Sequence, residues 1–485
     1  MIGITDLSWA ALSPALSLFA TAILCIIFAL LERDSRMTAG ASLVGIILAF
    51  LFNLNLFASG DVTGGYTSSF GLQFLSDLPA LGFNFVILIG TALAVLISYD
   101  YLKRTNLEHP EYYPLILLSA CGAIIMASAG DMIVLVLGLE IMSLAVYVLS
   151  AWRQNARESE EAGMKYFLLG AFASAFLIYG IALMYGATGS FGYTDIALAL
   201  QADVGLYAAL GGMLILVGLA FKVAFAPFHQ WAPDVYTGAP TSVTAFMSVV
   251  VKAAAFAALF RIVSQFIGEL PFYFSQVLVV LIVLTLVIAN LSALLQQGLK
   301  RMLAYSAVAH AGYLGLALLA ADTVGMHAAI WYLSAYAFMN AGAFAVLTLV
   351  TDNNDYGDSL ERLAGLGRTR PGLAMALTIF LLSLAGIPLF AGFVGKILVF
   401  QAAISAGYLG LAILGIITSI VAVVYYIRPV AYMYFRDPEY QHLEHRSRAT
   451  GLAIMIAAVG TILLGIFPGW WYGLLELGQR VVAGL

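Results

Sequence analysis

Long runs of apolar residues, separated by short polar clusters, dominate the chain. The runs 41–58, 204–228 and 241–260 are each close to the length that an α-helix needs to cross about 30 Å of hydrocarbon. Strands of a membrane β-barrel would alternate polar and apolar residues, and these runs do not. The pattern therefore predicts an all-α polytopic membrane protein.

Clusters of charged residues, Gly and Pro divide the chain into about fourteen predicted spans. No loop between them is long enough to hold a separate soluble domain, so we predict a single membrane domain over residues 1–485. The predicted spans lie near 10–31, 37–58, 78–102, 112–129, 131–151, 163–187, 204–228, 240–265, 271–292, 300–321, 325–350, 371–403, 405–435 and 449–475.

Composition agrees with this class and excludes others. Hydrophobic residues make up 62% of the chain and charged residues only 10%, against roughly 25% charged residues in soluble domains. The two cysteines, Cys25 and Cys121, both lie inside apolar spans. The sequence has no Walker-type loop, no dinucleotide-binding glycine pattern and no cysteine cluster. We therefore expect this chain to bind no nucleotide, flavin, metal cluster or nucleic acid itself.

The distribution of Lys and Arg predicts the orientation. About fifteen of these residues follow odd-numbered spans, whereas only Arg261 and Arg480 follow even-numbered ones. Basic loops stay in the cytoplasm. We therefore expect a bacterial cytoplasmic (inner) membrane protein with both termini on the outer side.

A weak internal similarity suggests two repeats of five helices, spans four to eight (about 112–265) and nine to thirteen (about 271–435). A Gly-Met pair opens spans six and eleven, and spans seven and twelve each contain a helix-breaking proline, Pro227 and Pro388. An odd number of helices per unit would invert one repeat relative to the other, as in many transporters. Chance recurrence of Gly, Met and Pro in apolar sequence is the alternative, and it stays open here.

Ionisable residues deep in the predicted spans are the candidate functional residues: Glu140, Lys222, Lys252, Lys396 and His310. A charge at the bilayer centre costs about 2.5–3.5 kcal/mol, so such residues need a partner, water or neutralisation. Lys252 is about twelve residues from either end of its span. Burial and neighbouring charges change the proton affinity of a lysine, which suits a proton relay. The alternative for each lysine is pairing or neutralisation for packing alone.

Two of the lysines lie close to predicted breaks in their helices. Pro227 follows Lys222, and the segment 386–388 (Gly-Ile-Pro) precedes Lys396. Backbone groups freed at membrane depth are tolerated where they line protein or a wet cavity. We therefore predict that helices 7 and 12 are broken. For Lys222, reaching back to the membrane surface is the alternative.

The remaining candidates are an acid and two histidines. Glu140 is either a protonated structural carboxyl or a carboxylate whose attraction for a neighbouring lysine changes during a transport cycle. His310 is either a relay residue or a hydrogen-bonded core residue. His229 lies beside Trp231 near the predicted interface, where helix capping or gating is as good an interpretation as proton transfer.

At these residues the chain resembles a known family, the antiporter-like membrane subunits of complex I, the proton-pumping NADH–quinone oxidoreductase. The resemblance covers nearly the whole chain, and its most specific stretch is FKVAFAPFHQWAPDVYTGAP at 221–240. Further matching segments are 138–140, 299–301, 305–306, 310–313 and 384–396. Lys396 stands where M-type members usually carry glutamate, and the chain ends too soon for the lateral helix of the L type. The resemblance is therefore to the N type.

The resemblance implies roles for the candidates. Glu140 would pair with Lys222, Lys252 would link the two halves, and Lys396 would face the exit side. NADH, FMN, iron–sulfur clusters and quinone would be bound by partner subunits. Those partners would include an M-type antiporter-like neighbour, small hydrophobic subunits and membrane lipid.

The implied function is proton translocation driven by quinone reduction elsewhere in the complex, with the coupling reaching this chain as electrostatics alone. Two rival functions stay open at this point. One is a subunit of an Mrp-type sodium/proton antiporter, and the other is a scaffold that moves no protons. Three deep lysines argue against the scaffold, since leucine would serve packing at lower cost.

Overall fold

The computed structural model describes most of the chain, and every structural statement below refers to this part. The described residues are 8–31, 35–58, 67–154, 156–202, 204–266, 270, 273–320, 323–352, 355, 358–438 and 447–469. The predicted last span reaches 475, and residues 470–475 lie outside the described part. So do Arg33, Arg446 and Arg480, which contribute to the orientation count.

Within the described ranges the chain forms nineteen α-helices and one two-stranded sheet. The helices are α1 Trp9–Leu31, α2 Ser35–Ala58, α3 Leu78–Arg104, α4 Tyr112–Ala127, α5 Met132–Ser150, α6 Arg157–Thr188, α7 Tyr193–Ala202, α8 Leu206–Val223, α9 Trp231–Gly238, α10 Thr241–Phe246, α11 Lys252–Phe266, α12 Tyr273–Leu294, α13 Leu299–Leu318, α14 Thr323–Val350, α15 Leu366–Thr369, α16 Pro371–Ala385, α17 Ala391–Ser405, α18 Leu409–Phe435 and α19 Arg448–Ile466. A π-helical turn, Met247–Val251, joins α10 to α11, and a 3₁₀ turn, Leu360–Leu363, precedes α15.

The helical membrane architecture predicted from the sequence is confirmed. In the described part of the chain, eleven helical segments are long and apolar enough to cross a membrane, with α10, the π-helical turn and α11 counted as one segment. Helices α4, α16 and α17 are apolar but shorter. The hairpin of β1 (Thr67–Ser69) and β2 (Phe74–Ser76) is a small addition that the apolar pattern does not predict.

Helix α6 begins earlier than the sequence predicts, at Arg157 instead of 163. Its first two turns carry Glu158, Glu160 and Glu161, and a charged segment of this kind is easily taken for a loop. The turn is nevertheless fixed to the bundle, because the Ser159 hydroxyl donates a 3.0 Å hydrogen bond to the Ser150 carbonyl.

Helix α14 is the central element of the bundle. It packs against α3, α10, α13, α16, α17 and α19. Almost its whole surface is buried, including the large side chains of Trp331, Tyr332 and Tyr336. Polar groups on such a helix are enclosed by protein, so their partners can be identified within this chain.

Glycines allow α4 and α5 to approach closely. A Cβ atom at Gly122 would collide with the backbone nitrogen of Met142, and one at Gly138 would collide with that of Met126. Small residues at a membrane helix interface allow this contact between backbones. The contact fixes α5 immediately before Glu140.

Basic side chains gather at one end of the bundle, which we call the basic end. There Arg104 donates to the Thr348 carbonyl, and Lys300 and Arg153 lie 3.1 and 4.0 Å from the buried carboxylate of Asp355. At the opposite end, Arg261 makes a two-pronged contact of 2.7 and 2.9 Å with Asp77. Ion pairs therefore fix one end of α11 and one end of α13, two of the helices that carry candidate residues.

Candidate functional site

Lys222 lies in the last turn of α8, next to a break in the chain direction. The helix ends at Val223, and Ala224 adopts the left-handed conformation with φ 63°. The indole nitrogen of Trp231 donates a 2.9 Å hydrogen bond to the Phe221 carbonyl, which also accepts a hydrogen bond from the backbone N–H of Ala224 at the end of the helix. The predicted break in span seven is therefore present, three residues before Pro227. A cation at a helix C-terminus is stabilised by the helix dipole.

The Lys222 amine contacts hydroxyl groups and aromatic rings and is only 2% exposed. It donates to Ser143 Oγ at 2.9 Å and to the Tyr147 hydroxyl at 3.2 Å. It also lies 5.3 and 5.7 Å from the ring centres of Tyr147 and Tyr166. Ring faces and hydroxyl oxygens both favour a cation, so this pocket can hold a charged amine.

Glu140 lies on the same helix as Ser143, one turn before it. Its carboxylate is half-buried and accepts a 2.7 Å hydrogen bond from Ser174 of α6. No ion pair between Glu140 and Lys222 is present among the described residues. The direct contact that the family resemblance implies is therefore not made in this conformation. The Ser143 hydroxyl receives the amine instead, on the turn of α5 next to the carboxylate.

Lys252 begins α11 directly after the π-helical turn, and it is 3% exposed. Its amine donates to the carbonyl oxygen of Ala307 in α13 and lies 5.3 Å from the ring centre of Tyr336. A π-helical turn inserts a residue into the α-helical repeat and changes the direction of the side chains that follow; such turns are frequent at functional sites.

His310 is one turn beyond Ala307 on α13 and lies between two tyrosine hydroxyls. Nδ1 is 2.6 Å from the hydroxyl of Tyr332, and Nε2 is 3.1 Å from that of Tyr426. The hydroxyl of Tyr426 in turn contacts Ser306. Since a neutral imidazole donates from one nitrogen and accepts at the other, a proton can arrive at one side of the ring and leave from the other.

Lys396 occupies the second half of a broken helix and is 3% exposed. Its amine donates to the Ala385 carbonyl and to Ser419 Oγ, both at 2.8 Å, and lies 4.9 Å from the ring centre of Tyr313. Gly386, with φ 87°, ends α16, and α17 begins five residues later. The predicted break in span twelve is therefore present.

The candidate residues form two clusters. Lys222 and Glu140 belong to one cluster on α5 and α8, whereas Lys252, His310 and Lys396 surround α13 in the other. Tyr313 bridges the second cluster, since its ring lies 5.8 Å from that of His310 and also faces Lys396. Between the described side chains, no hydrogen bond joins the two clusters.

Several hydroxyl groups in the site were missed from the sequence. Glu140, Ser143 and Tyr147 are spaced by three and four residues, which puts them on one helical face. That spacing was the available signal for the first cluster. Tyr332 and Tyr426 carry no such signal, because they come from helices far apart in the chain. His229 lies in the turn between α8 and α9 and is half-buried.

Cysteine and metal-ligand geometry do not contribute to the site. Both cysteines, Cys25 and Cys121, are buried and free. The described residues contain no group of three or more His, Cys, Asp or Glu side chains placed to hold a metal ion.

Sequence comparison identifies relatives over nearly the full length. The family model described as NADH:quinone oxidoreductase/Mrp antiporter matches residues 129–422. NADH-quinone oxidoreductase subunit N of Trichlorobacter lovleyi is 41% identical over 472 residues, which is 96% of this chain and 95% of that protein. The subunit N of Deinococcus radiodurans is 42% identical and covers 86% of each chain.

Solved structures share the fold. A chain of respiratory complex I from Thermus thermophilus is 36% identical, with a TM-score of 0.80 over 94% of this chain and 97% of that one. A chain of an archaeal membrane-bound sulfane sulfur reductase is 27% identical, with a TM-score of 0.88 over 98% of both chains. A chain of the Mrp complex of a Dietzia species shares the fold at 21% identity, with a TM-score of 0.83 over 99% of this chain and 98% of that one. The chain belongs to the family of NADH:quinone oxidoreductase and Mrp antiporter membrane subunits, within the group named NADH-quinone oxidoreductase subunit N.

Proposed function

We propose that this chain is the proton-translocating N-type membrane subunit of a respiratory NADH–quinone oxidoreductase. The observation that carries the proposal is the burial of Lys222, Lys252 and Lys396, each at most 3% exposed, among hydroxyl groups, carbonyl oxygens and aromatic rings. Charges at membrane depth are costly and mark ion pathways. Relatives of about 40% identity named subunit N support the same function.

The proton route follows the contacts around α13. Lys252 reaches the Ala307 carbonyl, one turn from His310, and Tyr313 connects His310 to Lys396. Protons pass from Lys252 through His310 to Lys396 and leave towards the exit side. Tyr332 and Tyr426 orient the imidazole so that each ring nitrogen has a hydroxyl partner.

Glu140 and Lys222 control this route through their charges. The Lys222 amine rests on Ser143 in this conformation, one turn from Glu140. Moving the amine to the carboxylate makes an ion pair and removes part of the positive field inside the bundle. Moving it back restores that field. Because opposite and like charges change the proton affinity of nearby groups, this movement biases Lys252 between loaded and unloaded states.

Electron transfer takes place elsewhere in the complex. We propose that partner subunits bind NADH, FMN, the iron–sulfur clusters and quinone. The neighbours in the membrane are an M-type antiporter-like subunit, small hydrophobic subunits and lipid. Redox energy reaches this chain as a change of charge and contact at its flank, where Glu140 is half-buried in the isolated chain.

We further propose fourteen spans, with spans four to eight and nine to thirteen as inverted repeats. Helix packing supports the repeat. In the first repeat, α4 packs against α5 and α11, and α6 packs against α8. In the second repeat the corresponding helices also pack together, α12 against α13 and α18, and α14 against α17. Lys222 and Lys396 do not occupy equivalent positions in the two repeats, because Lys222 precedes the break in its helix whereas Lys396 follows the break in its helix.

The proposed orientation puts the basic end in the cytoplasm and both termini outside a bacterial inner membrane. The support is the concentration of Lys and Arg at that end. The Mrp antiporter alternative has weaker support, because the Mrp chain from Dietzia is 21% identical, against 41% for a named subunit N.

Reconstituted complex carrying Glu140→Ala or Lys222→Ala tests the function. The rate of NADH-driven proton uptake in proteoliposomes should fall about tenfold, the effect of about 1.4 kcal/mol on a rate-limiting step, while the complex assembles. Lys103→Ala, a partly exposed lysine at the basic end, is the matched control and should pump normally. A normal rate of uptake in both site variants would contradict the assignment.

A further inference from the structure

One face of α14 carries three polar side chains at intervals of four residues. Tyr332 meets His310, the Tyr336 ring faces the Lys252 amine, and Asn340 donates a 2.7 Å hydrogen bond from Nδ2 to Ser248 Oγ. Residues four apart lie on the same side of a helix. The face therefore extends from the His310 cluster past Lys252 towards the basic end, where α10 begins at Thr241 beside Asp355.

The hydrogen bonds around Ser248 determine how the Asn340 amide is turned. The Ser248 hydroxyl has one proton, which it donates to the Ala245 carbonyl at 3.0 Å. Ser248 can therefore only accept from Asn340, which means that the NH₂ group faces the serine and Oδ1 faces away. Among the described residues, Asn340 Oδ1 has no hydrogen-bond partner although Asn340 is 0% exposed. The Tyr336 hydroxyl is buried and equally without a partner in the described part of the chain.

Lys252 is close enough to use these two oxygens. Ser248 and Lys252 are four residues apart along one helix, and Asn340 and Tyr336 are four apart along the other. The Ser248–Asn340 and Lys252–Tyr336 contacts are thus successive levels of one helix interface, and along α14 they are separated by about one turn or 5.4 Å. A lysine amine has three donors on a flexible four-carbon stem. Lys252 uses one of them, on the Ala307 carbonyl.

We propose that Asn340 is a positioning residue for Lys252. Its Oδ1, with the Tyr336 hydroxyl, forms a second resting place for the amine on the basic-end side, and the amine alternates between this place and the Ala307 carbonyl next to His310. At Asn340 the amine is withdrawn from the imidazole and takes up a proton; at Ala307 it delivers the proton to the His310 cluster. This inference rests on the proposed proton-translocating function and adds a gate to it.

Four variants of the complete complex in proteoliposomes test the inference. Asn340→Leu keeps the volume and removes the oxygen, so the rate of NADH-driven proton uptake should fall about tenfold. Asn340→Thr keeps a buried oxygen acceptor and should retain most of the pumping, whereas Ser248→Ala removes the contact that turns the amide and should lose only part of it. Asn53→Leu is the matched control, because Asn53 is also 0% exposed with an unpartnered Oδ1 but lies on α2, away from the lysines. It should pump normally in assembled complex.

Other outcomes overturn the inference. If Asn340→Thr and Ser248→Ala lose pumping as fully as Asn340→Leu, the Asn340–Ser248 bond has a purely structural role. If Asn340→Leu pumps normally, the lysine does not use this oxygen. Lys252→Ala separates these failures from failure of the proposed function, since normal pumping in that variant would contradict the relay itself. Loss of pumping in Lys252→Ala alone would leave the relay intact and reject only the gate.

Discussion

Lys396 donates a 2.8 Å hydrogen bond to the carbonyl oxygen of Ala385, the last residue of α16. The final carbonyls of a helix have no intrahelical donor and carry the negative end of its dipole. The break between α16 and α17 therefore supplies the acceptor that a buried ammonium needs. In the same way, Lys222 belongs to the last turn of α8, where the chain also turns away from the helix.

Gly386→Ala should displace the Lys396 side chain in addition to straining the backbone. Gly386 has φ 87°, and a Cβ atom there would lie 2.9 Å from Cδ and 3.2 Å from Nζ of Lys396. The left-handed conformation alone costs an L-residue about 1–2 kcal/mol. Gly407→Ala is the control, since φ is 86° there but no atom is close to the added methyl group. We expect proton uptake to fall in Gly386→Ala only, and equal loss in both variants would contradict this.

Removal of the hydroxyl partners of Lys222 should also reduce pumping. The double variant Ser143→Ala with Tyr147→Phe takes away both side-chain acceptors of the amine, and the amine then pairs permanently with Glu140 on the neighbouring turn. The rate of NADH-driven proton uptake should fall about tenfold, because the pair can no longer open and close. Ser150→Ala, two turns along α5, removes a hydroxyl that bonds only to the Val146 carbonyl and the Met247 sulfur, and it serves as the control. Pumping at the normal rate by the double variant would argue against a mobile amine.

His310 should depend on both of its tyrosine partners. Tyr332→Phe and Tyr426→Phe each remove one hydroxyl from a ring nitrogen, so proton transfer through the imidazole slows. The rate of proton uptake in proteoliposomes should fall severalfold in each variant. Tyr434→Phe is the control on the same helix, since that hydroxyl lies two turns beyond Tyr426 and contacts Thr378 instead. Unchanged uptake in both partner variants would show that His310 is only a core residue.

Asp355 should make the basic end sensitive to acid. Burial alone would raise the pKa of the Asp355 carboxyl, but Lys300, the Thr241 hydrogen bond and Arg153 together hold the pKa below its ordinary value of 3.8. The folded chain thus binds this proton more weakly than the unfolded chain does. The carboxylate stabilises the fold fully above about pH 4, and this contribution is lost as the pH falls through the lowered pKa.

Asp355→Asn should therefore destabilise the chain at pH 7, by about 3–5 kcal/mol, because it leaves the Lys300 charge buried without its partner. Thermal unfolding of the solubilised complex at pH 7 and below pH 4 measures this, and the difference between variant and parent should shrink in acid. Asp437→Asn breaks an exposed pair with Arg368 and should change little. A constant difference across this pH range would disprove the linkage.

The sequence predicts most of what membrane burial dictates. The long spans, the breaks beside Pro227 and Pro388, and the unusual depth of Lys252 all follow from the cost of polar groups in hydrocarbon. The free-energy cost of burying a charge does not by itself identify the side chains that contact it. Ser143 could be predicted from its spacing to Glu140, whereas Tyr332 and Tyr426 reach His310 from spans that only the packing brings together.

Asp355 is a residue whose burial the sequence does not predict. Acidic residues in loops are usually solvated, and nothing in the neighbouring polar residues distinguishes this one. Its side chain is wholly buried because Lys300, Arg153 and Thr241 converge on it from three other segments. Such convergence is a property of the tertiary structure.

One face of helix α14 carries Tyr332, Tyr336 and Asn340. Their partners on the facing helices are His310, Lys252 and Ser248 respectively. Rotation or translation of helix α14 by half a turn would separate all three pairs together. A neighbouring subunit would not need to act on each group in turn. Because one helix makes all three contacts, any displacement of α14 relative to α13 and the α10–α11 segment would change them together.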